Sequence, residues 1–377
     1  MTVAATSTID LGAVRAFVDE EVRPQVEAYD LAERIPGVLL RRIAELGLWA
    51  PFLPVESGGQ GLDMVTLGRV HEEIGRGCSS LRSLLTVHTM VSWSVRRWGS
   101  EAQQRDWLPA LAAGDALGSF CLTEPEGGSN TSVGGTRAVR DGDEWVLTGH
   151  KIWITGGQLA DVFMVFAHTE GGMTTFLVPA NTAGVDVVPI SGALGTRASM
   201  LAEILFTDVR LGDDAVLGPV GWAAGTVMTS ALDLGRFSVA SGCVGIIQAS
   251  LDLCVTHTAR RQVADGRLAD QQLVRRKITD MVTSVRAARL LCAEAGRLKD
   301  NDDPATIMAS WVAKYYASTA AATAASDAVQ LHGASGFAAD HPAGRLYRDA
   351  KVMEIIEGST ELQQTTIAEQ AYREVAR

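Results

Sequence analysis

The feature that most constrains this chain is the grouping of its β-rich segments in the middle third, with long helical patterns on both sides. The segments lie between residues 117 and 211 and run GSFCLT, TRAVR, EWVLTGHKIWIT, DVFMVFAH, TTFLVP, VDVVPI and EILFTDVRL. Gly, Asn and Asp turn clusters separate them, which predicts an antiparallel sheet or a small barrel. Such grouping makes no βαβ units, and no GxGxxG follows a strand, so a doubly wound dinucleotide-binding fold is disfavoured.

The segments on either side of the sheet have helical periodicity. Before it, Pro24 and Pro51 follow two amphipathic patterns and are predicted to stop them. After it, the long helical candidates are Gly242–Thr258, Leu273–Leu298 and Ala309–Gln330. The last of these is rich in Ala, Ser and Thr, so we expect it inside a bundle or at a subunit contact. The sequence therefore predicts an α+β chain with a helical domain at 1–116, a β domain at 117–222 and a helical domain at 223–377.

Charge and cysteine usage exclude several classes of function. The net charge of −11 disfavours nucleic-acid binding, which needs clustered Lys and Arg. No charge-free apolar stretch approaches the roughly 18 residues of a membrane span, and the N-terminus lacks a secretory pattern. We therefore expect a cytoplasmic protein with no membrane partner. The cysteines form no CxxC pair, which predicts reduced core thiols and no metal site; they are Cys78, Cys121, Cys243, Cys254 and Cys292.

Three loops in or beside the strands carry polar or aromatic groups that suit a ligand. TEPEGGSN, from Thr123 to Asn130, offers hydroxyls and glycines and suits a phosphate or a planar ligand, although a tight polar turn is the commoner explanation. GHKIWITGG places Trp153 and Thr155 on the same side of a regular strand. That pair suits a flat cofactor, or Trp153 fills a core. GTRAS, from Gly195 onward, is an ordinary loop by itself.

Near the C-terminus, RDAKVMEIIEGSTEL contains two candidate carboxylates. Glu357 follows two isoleucines and precedes Gly358, so desolvation would raise its pKa toward values useful to a general base. Glu354 is the competitor, and an isolated Glu on a helix is usually solvated. Ser359 is predicted to cap the next helix, with Glu361 in its first turn.

Taken in order, these segments resemble the acyl-CoA dehydrogenase family from about Phe17 to Glu369. The set comprises a GGxG loop near Gly58, TEPEGGSN, KIWIT, GTRAS with FTDVRL, QLHGASGF, and YRDAK with IIEGST. The resemblance implies a helical domain, a middle β domain and a C-terminal four-helix bundle. It also implies FAD as cofactor and a homodimer or homotetramer with FAD sites at subunit contacts.

The resemblance also assigns cofactor-binding positions. Trp153 matches the residue beside the isoalloxazine ring, and Thr155 matches the hydroxyl near its N5. Two further groups match positions that reach FAD across a subunit contact, namely Arg261 with Gln272, and Gln330 with Gly333 and Gly336. The remaining matches are the loop that lines the flavin and its phosphates (Cys121, Thr123, Gly128 and Ser129) and the end of the site (Ser359 and Glu361).

The same resemblance makes Glu357 the catalytic base, with Arg236 and Gly358 in the substrate cleft. Some branches place the base at the position occupied here by Gly235, where a glycine cannot serve. In the family, the backbone N–H of the base and a ribityl hydroxyl hold the thioester carbonyl while hydride passes to the flavin. This chain departs from the usual pattern after the cofactor arginine, where Ala264-Asp265 replaces Phe-Gly, and at Leu201, where threonine is common.

Three stretches resemble a narrower group, the dehydrogenase-like enzymes of methoxymalonyl and hydroxymalonyl extender-unit assembly, which act on acyl carrier proteins. They are RSLLTVHTMV, SVASGCVGI and YRDAKVMEIIEGS. The alternatives are an ordinary short-chain acyl-CoA dehydrogenase, a flavin oxidase or monooxygenase, and a flavin scaffold without catalysis. The expected partners are the acyl thioester and an electron acceptor, either a flavoprotein or oxygen.

Overall fold

The computed structural model describes residues 9–130 and 134–375 and begins with a helical region. Its helices are α1 (Leu11–Phe17), α2 (Val26–Ala32), α3 (Gly37–Glu45), α4 (Met64–Gly77), α5 (Ser79–Trp98) and α6 (Glu101–Ala113). The predicted stop at Pro24 is wrong, because a π turn and a 3-10 turn carry the helical path from α1 into α2. Pro24 is tolerated there, since the start of a helical turn needs no N–H from it. The end of α3 comes before Pro51, and Gly47 has a left-handed φ of 64° just beyond it.

The middle of the chain forms the expected sheet. Its strands are β1 (Gly118–Cys121), β2 (Arg137–Asp141), β3 (Glu144–Ile154), β4 (Val162–Thr169), β5 (Gly172–Pro179), β6 (Val185–Pro189), β7 (Ala202–Leu211) and β8 (Val216–Leu217). The order is β6-β7-β3-β2-β4-β5-β8, with β1 against β4. The predicted antiparallel arrangement is wrong for β1–β4 and β2–β4, which pair in parallel. The chain forms the β2–β3 hairpin before it reaches β4, and such a long connection permits a parallel pair.

The C-terminal helices are α7 (Val227–Arg260), α8 (Gln272–Asp300), α9 (Thr306–His332), α10 (Pro342–Ile355) and α11 (Thr360–Val375), and a small hairpin of β9 (Gln262–Val263) and β10 (Gly266–Arg267) follows α7. The long helix α7 packs against α9, α8, α4 and α5. Ala313, Ala317 and Ala321 are fully buried on one face of α9, which confirms the expectation that this helix lies inside a bundle. The small side chains allow α9 to approach α7 closely.

The central helix α7 explains two properties of the core. Residues 223–260 are long and apolar enough to cross a membrane by length and composition, but 67% of the apolar window is buried inside the protein. It is therefore the core helix of the bundle. The five cysteines are free and buried, as predicted for core thiols.

Candidate active site

The turn between α10 and α11 carries the candidate base in a constrained backbone. Glu357 has a φ of 56° and Gly358 a φ of 96°. A non-glycine residue in this left-handed region is uncommon and costs free energy, so other groups must hold it there. Arg236 Nε donates to the Glu357 carbonyl (3.2 Å), while Lys314 Nζ (2.7 Å) and Gln363 Nε2 (2.8 Å) donate to the Gly358 carbonyl. Donors from α7, α9 and α11 thus fix one turn.

The carboxylate of Glu357 forms no ion pair within the described residues. Its Oε2 atom is buried and has no hydrogen-bond partner in the described residues. Burial raises the pKa of Glu357 to about 6, against the opposing effect of the nearby cations Arg236, Lys314 and Arg82. Desolvation therefore outweighs charge attraction, as the apolar neighbours of this residue predicted.

A missing side chain on α7 makes room for this carboxylate. A Cβ added to Gly235 would lie 2.3 Å from Glu357 Oε2 and 3.0 Å from Met90 Sδ. Both distances are well inside van der Waals contact. Gly235 is therefore not only unable to act as a base; its lack of a side chain provides the space that the Glu357 carboxylate occupies.

Two other charged residues of this region are Arg236 and Glu354. The guanidinium of Arg236 lies 4.0 Å from the centroid of the Trp311 ring, and burial lowers the pKa of Arg236. The competing carboxylate, Glu354, accepts a hydrogen bond from Lys351 at 3.0 Å. Glu354 is thus in an ordinary helical ion pair, which leaves Glu357 as the carboxylate with a free buried oxygen.

The TEPEGGSN loop is anchored at its start by a buried ion pair. Lys151 Nζ on β3 donates to Glu124 and to the Leu122 carbonyl, and Glu124 accepts from the backbone of Thr136. Cys121 is fully buried before the loop, whereas Gly128 and Ser129 are exposed. The loop therefore presents backbone and hydroxyl groups outward, while the Cys121 thiol belongs to the core.

Next to that loop, the backbone of β3 is irregular. Ile152 N donates to the Thr123 carbonyl (3.0 Å), so the loop and the strand are neighbours. Trp153 has a φ of 60°, and its side chain is 54% exposed. The β3–β7 register shifts between Lys151 and Ile154. The predicted regular alternation of side chains, which would place Trp153 and Thr155 on one side of the strand, is therefore wrong here. The indole of Trp153 is exposed, so it does not fill a core.

The GTRAS loop connects this region to α10. Gly156 N donates to the Ser199 carbonyl at 2.9 Å, and Thr196 N donates to Asp349 on α10 at 2.6 Å. Ser119 Oγ donates to the Thr155 carbonyl at 2.9 Å. GTRAS is thus more than an ordinary loop, since it links the turn after β3 to helix α10, which ends two residues before Glu357.

Helix α5 lies between the two halves of the site. A Cβ on Gly156 would contact Leu84 (3.2 Å) and Val87 (4.0 Å) on α5, whereas Met90 on the same helix lies against Gly235. One helix therefore contacts both the turn that follows Trp153 and Thr155 and the α7 position that faces Glu357.

The other predicted cofactor residues lie elsewhere in the chain. Arg261 lines a pocket of about 440 Å³ with Arg260, His257, His332 and His341. Gln272 begins α8 and is exposed; Gln330 and Gly333 are exposed near the end of α9, and Gly336 is buried in the turn that follows. None of these residues hydrogen-bonds to the Glu357 turn within residues 9–130 and 134–375. One chain therefore presents two groups of candidate site residues.

The helix cap predicted after Glu357 is present. Leu362 N donates to Ser359 Oγ at 3.3 Å, and Glu361 lies in the first turn of α11. Its exposed carboxylate has a lowered pKa because backbone and Ser359 hydrogen bonds favour the ionised form. Across the part of the chain that the structure describes, no group of three or more His, Cys, Asp or Glu could hold a metal ion.

Sequence reasoning did not single out two buried cations, Arg82 and Lys314. Both side chains are almost completely buried, which is rare for Arg and Lys. A signal was present, because Lys314 is the only charged residue between Thr306 and Ser326, and Arg82 is the only one between Gly77 and Val95. A lone charge in an otherwise neutral helix is therefore a useful indicator of a buried functional group.

Comparison with known families gives one consistent result. Residues 11–115, 119–209 and 221–372 match the N-terminal, middle and C-terminal domain models of acyl-CoA dehydrogenase. The mitochondrial short-chain specific acyl-CoA dehydrogenase of Bos taurus is 37% identical over 360 residues, which cover 94% of this chain and 87% of that protein.

Two solved structures are similar over almost the whole chain. Glutaryl-CoA dehydrogenase from Mycobacterium smegmatis in complex with FADH2 has a TM-score of 0.91 and 34% identity, covering 96% of this chain and 93% of that one. FkbI, for biosynthesis of the methoxymalonyl extender unit of the polyketide FK520, has a TM-score of 0.88 and 34% identity, covering 96% and 99%.

Proposed function

Because the chain belongs to the acyl-CoA dehydrogenase family, we propose that it dehydrogenates an acyl thioester with Glu357 as the base that removes the α-proton. The protein is an oxidoreductase that acts on CH–CH groups, and its cofactor is FAD. The observation that carries the choice of base is the buried, unpartnered Oε2 of Glu357.

The residues present fit FAD. The exposed indole of Trp153 and the adjacent Thr155 offer an apolar face and a hydroxyl to a flat ring. The exposed Gly128 and Ser129 leave backbone N–H groups accessible to phosphate oxygens. The pocket around Arg261 adds guanidinium groups and imidazoles, which suit an anionic diphosphate.

The residues of this chain supply the acid–base part of the reaction. Glu357 takes the α-proton, while bound FAD supplies the hydride acceptor. The backbone N–H of Glu357 donates no hydrogen bond within the described residues, so it is free to bind the thioester carbonyl. Such a donor stabilises the negative charge that develops on that oxygen. Arg236 and Lys314 hold the turn that orients this N–H.

A pKa near 6 suits this role. At pH 7 most Glu357 carboxylates are ionised and able to accept a proton, yet the raised pKa makes the group a stronger base than an exposed glutamate. Removal of a weakly acidic α-proton requires a base that is both ionised at pH 7 and stronger than an exposed glutamate.

The cofactor site is proposed to be shared between subunits. Thr123, Ser129, Trp153 and Thr155 lie in the β region beside α5, whereas the residues around Arg261 form a separate basic pocket. A homodimer or homotetramer would bring the basic pocket of one subunit to the flavin of another. This arrangement accounts for two groups of candidate residues that no hydrogen bond joins within residues 9–130 and 134–375.

A second proposal concerns the carrier of the acyl group. The stretches that resemble the carrier-protein branch lie on α5, α7 and α10, and these three helices meet around Glu357. FkbI is as similar in sequence to this chain as the glutaryl-CoA dehydrogenase is. We therefore propose an acyl carrier protein as the alternative to coenzyme A, and a flavoprotein or oxygen as electron acceptor.

The test is anaerobic reduction of the bound flavin by a panel of acyl thioesters on coenzyme A and on a carrier protein. Glu357→Gln should retain yellow FAD but lose substrate-driven bleaching, because an amide cannot accept the proton. Glu354→Gln is the matched control and should bleach like the native protein. Native rates in Glu357→Gln would show that the base is wrongly assigned. Rapid peroxide formation when oxygen is admitted after bleaching would identify oxygen as the acceptor.

A further inference from the structure

We propose that His332 carries a second ring proton when FAD is bound and donates a hydrogen bond from it to the cofactor's diphosphate, so that FAD binding takes up a proton. The proposal rests on the proposed function, which assigns the basic pocket around Arg261 to that diphosphate. Its consequence is that the protein holds FAD more tightly at low pH than at high pH.

Three histidines lie together in this pocket. The ring centroids of His257 and His332 are 4.3 Å apart, and those of His332 and His341 are 4.9 Å apart. The three rings line the same cavity of about 440 Å³ as Arg260 and Arg261. His332 is the central ring of the three, and it is 8% exposed. An anion that enters the cavity therefore meets imidazoles as well as guanidinium groups.

The hydrogen bond between His332 and its own helix fixes the tautomer of the ring. Nδ1 lies 2.7 Å from the Ala328 carbonyl oxygen, which can only accept a hydrogen bond, so Nδ1 carries a proton. Nε2 of the neutral ring is then a lone pair, and it has no hydrogen-bond partner among the residues that the structure describes. A lone pair repels a phosphate oxygen, whereas a protonated Nε2 donates to it. Protonation of His332 breaks no existing hydrogen bond.

His341 has the opposite tautomer and is a poorer site for an added proton. Its Nδ1 accepts a hydrogen bond from Ala343 N at 3.2 Å, and this bond caps the N-terminus of α10. Protonation would turn Nδ1 into a donor and break the cap. The neutral ring carries its proton on Nε2, so His341 can donate to a phosphate without taking up a proton.

The positions of these two rings on their helices favour the same assignment. His332 is the last residue of α9, where the unpaired carbonyl groups of a helix favour a positive charge. His341 precedes the first turn of α10, where the unpaired N–H groups disfavour one. A single added proton is therefore better placed on His332 than on His341.

Burial disfavours charge on the two outer rings. Burial lowers the pKa of His257, and His332, Arg261 and His341 act in the same direction. Burial also lowers the pKa of His341, and His332 adds to that effect. Both outer rings are therefore mostly neutral at pH 7. Because charged rings this close repel each other, the cluster accommodates one proton rather than three.

Three carboxylates lie near the cluster, namely Glu27, Asp327 and Asp340. Glu27 acts to raise the pKa of His341, but it is already paired with Arg345 at 3.1 Å. Asp327 is paired with Lys277 on α8. Asp340 acts in the same direction as Glu27 but is exposed, so water and salt screen its charge. A bound diphosphate would therefore be the anion that stabilises a proton on His332.

An alternative is that Arg260 and Arg261 bind the diphosphate alone. Guanidinium groups stay charged throughout the neutral pH range, and so does a diphosphate. A site made only of these groups would bind FAD with an affinity that does not change with pH. The pH dependence of FAD binding therefore separates the two arrangements.

Calorimetry counts the proton. The protein freed of FAD is titrated with FAD in two buffers of different ionisation enthalpy, and the difference in heat gives the protons taken up. We expect at least about 0.3 proton at pH 7.5, and a Kd that rises about threefold to tenfold between pH 6.5 and pH 8.5. Flavin fluorescence on serial dilution of the FAD-loaded protein gives the same Kd independently.

Two substitutions test the residue. His332→Gln donates an N–H at every pH, so its Kd should stay within about threefold of the native value at pH 6.5, without proton uptake by this side chain. His332→Leu cannot donate, so it should bind FAD at pH 6.5 as weakly as the native protein does at pH 8.5. Protons taken up at Glu357 or Lys314 are common to all three proteins, so the difference reports His332.

His168→Gln is the matched control, because His168 lies on β4 in the middle domain and does not line this pocket. It should retain the native proton uptake and the native change of Kd with pH. Melting temperatures of all the variants show whether the fold is intact.

The outcomes distinguish this proposal from the proposed function. A native Kd that is constant with pH, or equal proton uptake in the native protein and His332→Gln, would overturn the role of His332 and leave FAD as the cofactor. Tighter native binding at high pH would also overturn it, because a neutral Nε2 would then accept from an N–H of the cofactor. A protein that binds no FAD at any pH would overturn both.

Discussion

At the scale of the single residue, the site consists of one unpaired carboxylate among buried cations. Glu357 is influenced by Arg236, Lys314 and Arg82, yet none of these forms an ion pair with its carboxylate in the described residues. Arg236 and Lys314 instead donate to backbone carbonyls of the turn. The three cations therefore limit the rise in the pKa of Glu357 without pairing with its carboxylate.

The first prediction is a pH profile. Because burial raises the pKa of Glu357 to about 6, the rate of flavin reduction should fall tenfold for each step of one in pH well below pH 6 and level off above pH 7. Protonated Glu357 cannot accept the α-proton, so the rate falls toward acid pH. Stopped-flow reduction between pH 5 and 8 measures it. A midpoint near 4.5, the value of an ordinary glutamate, would contradict the burial of this group.

A second prediction concerns Lys314. Burial lowers the pKa of Lys314 to about 8, so it is mostly charged at pH 7. Lys314→Met removes that charge, so the midpoint of the pH profile should move upward. The rate of flavin reduction at pH 6 should then fall, by about fivefold if the midpoint rises from pH 6 to pH 7. Gln363 still donates to the Gly358 carbonyl, so the turn should persist.

The control for that change is Lys277→Met. Lys277 lies on α8 and pairs with Asp327 on α9. Its loss should leave the midpoint unchanged. An unchanged midpoint in Lys314→Met as well would mean that this cation has no influence on the base.

Residue-level prediction from sequence gave the correct direction of the pKa shift at Glu357. The adjacent isoleucines are not its whole cause, because Ile355 is 58% exposed and the carboxylate lies against Gly235 of another helix. Residue-level prediction also has limits. It failed where backbone conformation decides, as at Trp153, whose φ of 60° breaks the alternation of β3. It also missed Arg82, because its neighbours come from helices distant in sequence.

At the scale of the element, helix α7 packs against the side chains of Glu357 and Arg82. Gly235 and Gly242 are two turns apart on one face, and they leave room for Glu357 and Arg82 respectively. Glycine inside a helix costs roughly 1 kcal/mol relative to alanine. Helix α7 is therefore less stable at these two positions than it would be with alanine, and at both of them a side chain from another element occupies the space.

Gly235→Ala should accordingly separate stability from activity. Alanine favours the helix, but its Cβ would lie 2.3 Å from the present position of Oε2, so the carboxylate must move. A displacement of about 1 Å at a catalytic group costs on the order of 100-fold in rate. We expect bound FAD and an intact fold with flavin reduction lowered about 100-fold.

Gly37→Ala provides the comparison, since Gly37 lies in α3 and its added Cβ meets nothing nearer than 3.8 Å. It should be fully active. An equally active Gly235→Ala would show that the carboxylate has another place to lie.

Element types and their order were predictable from periodicity, and the three-part organisation follows from that alone. Helix ends were less predictable. Helix α7 begins at Val227, well before the predicted Gly242, because apolar residues lie on all sides of the helix and obscure the helical periodicity. Strand direction was not predictable, because the parallel β1–β4 pair depends on where the chain goes between them.

At the scale of the whole molecule, the proposed cofactor residues form two groups, and the proposal of a shared site requires subunits that complement each other. The proposed sharing of FAD between chains rests on the basic pocket around Arg261, which is lined by none of the residues of the Glu357 turn. Of the two groups, the one around Arg261 contributes the guanidinium groups that suit a diphosphate.

This arrangement predicts complementation between two inactive variants. Arg261→Ala should lower FAD content, because a guanidinium that pairs with phosphate is lost, and Glu357→Gln should retain FAD without turnover. A co-expressed hybrid contains sites with Glu357 from one chain and Arg261 from the other. Such sites should restore up to about one quarter to one half of the native flavin reduction per oligomer, given random pairing and symmetric sites.

Each variant expressed alone serves as the control for residual activity, and differently tagged chains allow the hybrid to be isolated. A hybrid no more active than the two separate variants would show that Arg261 serves the flavin of its own chain.

The contact between Gly235 and Glu357 has a consequence for how such enzymes change over generations. Since one small volume serves both positions, a bulkier residue at the first and a glutamate at the second are incompatible. A lineage that relocates its proton acceptor must therefore alter the two codons together or survive an inactive intermediate. Descent should accordingly preserve the location of the acceptor for long periods and change it in rare, paired steps.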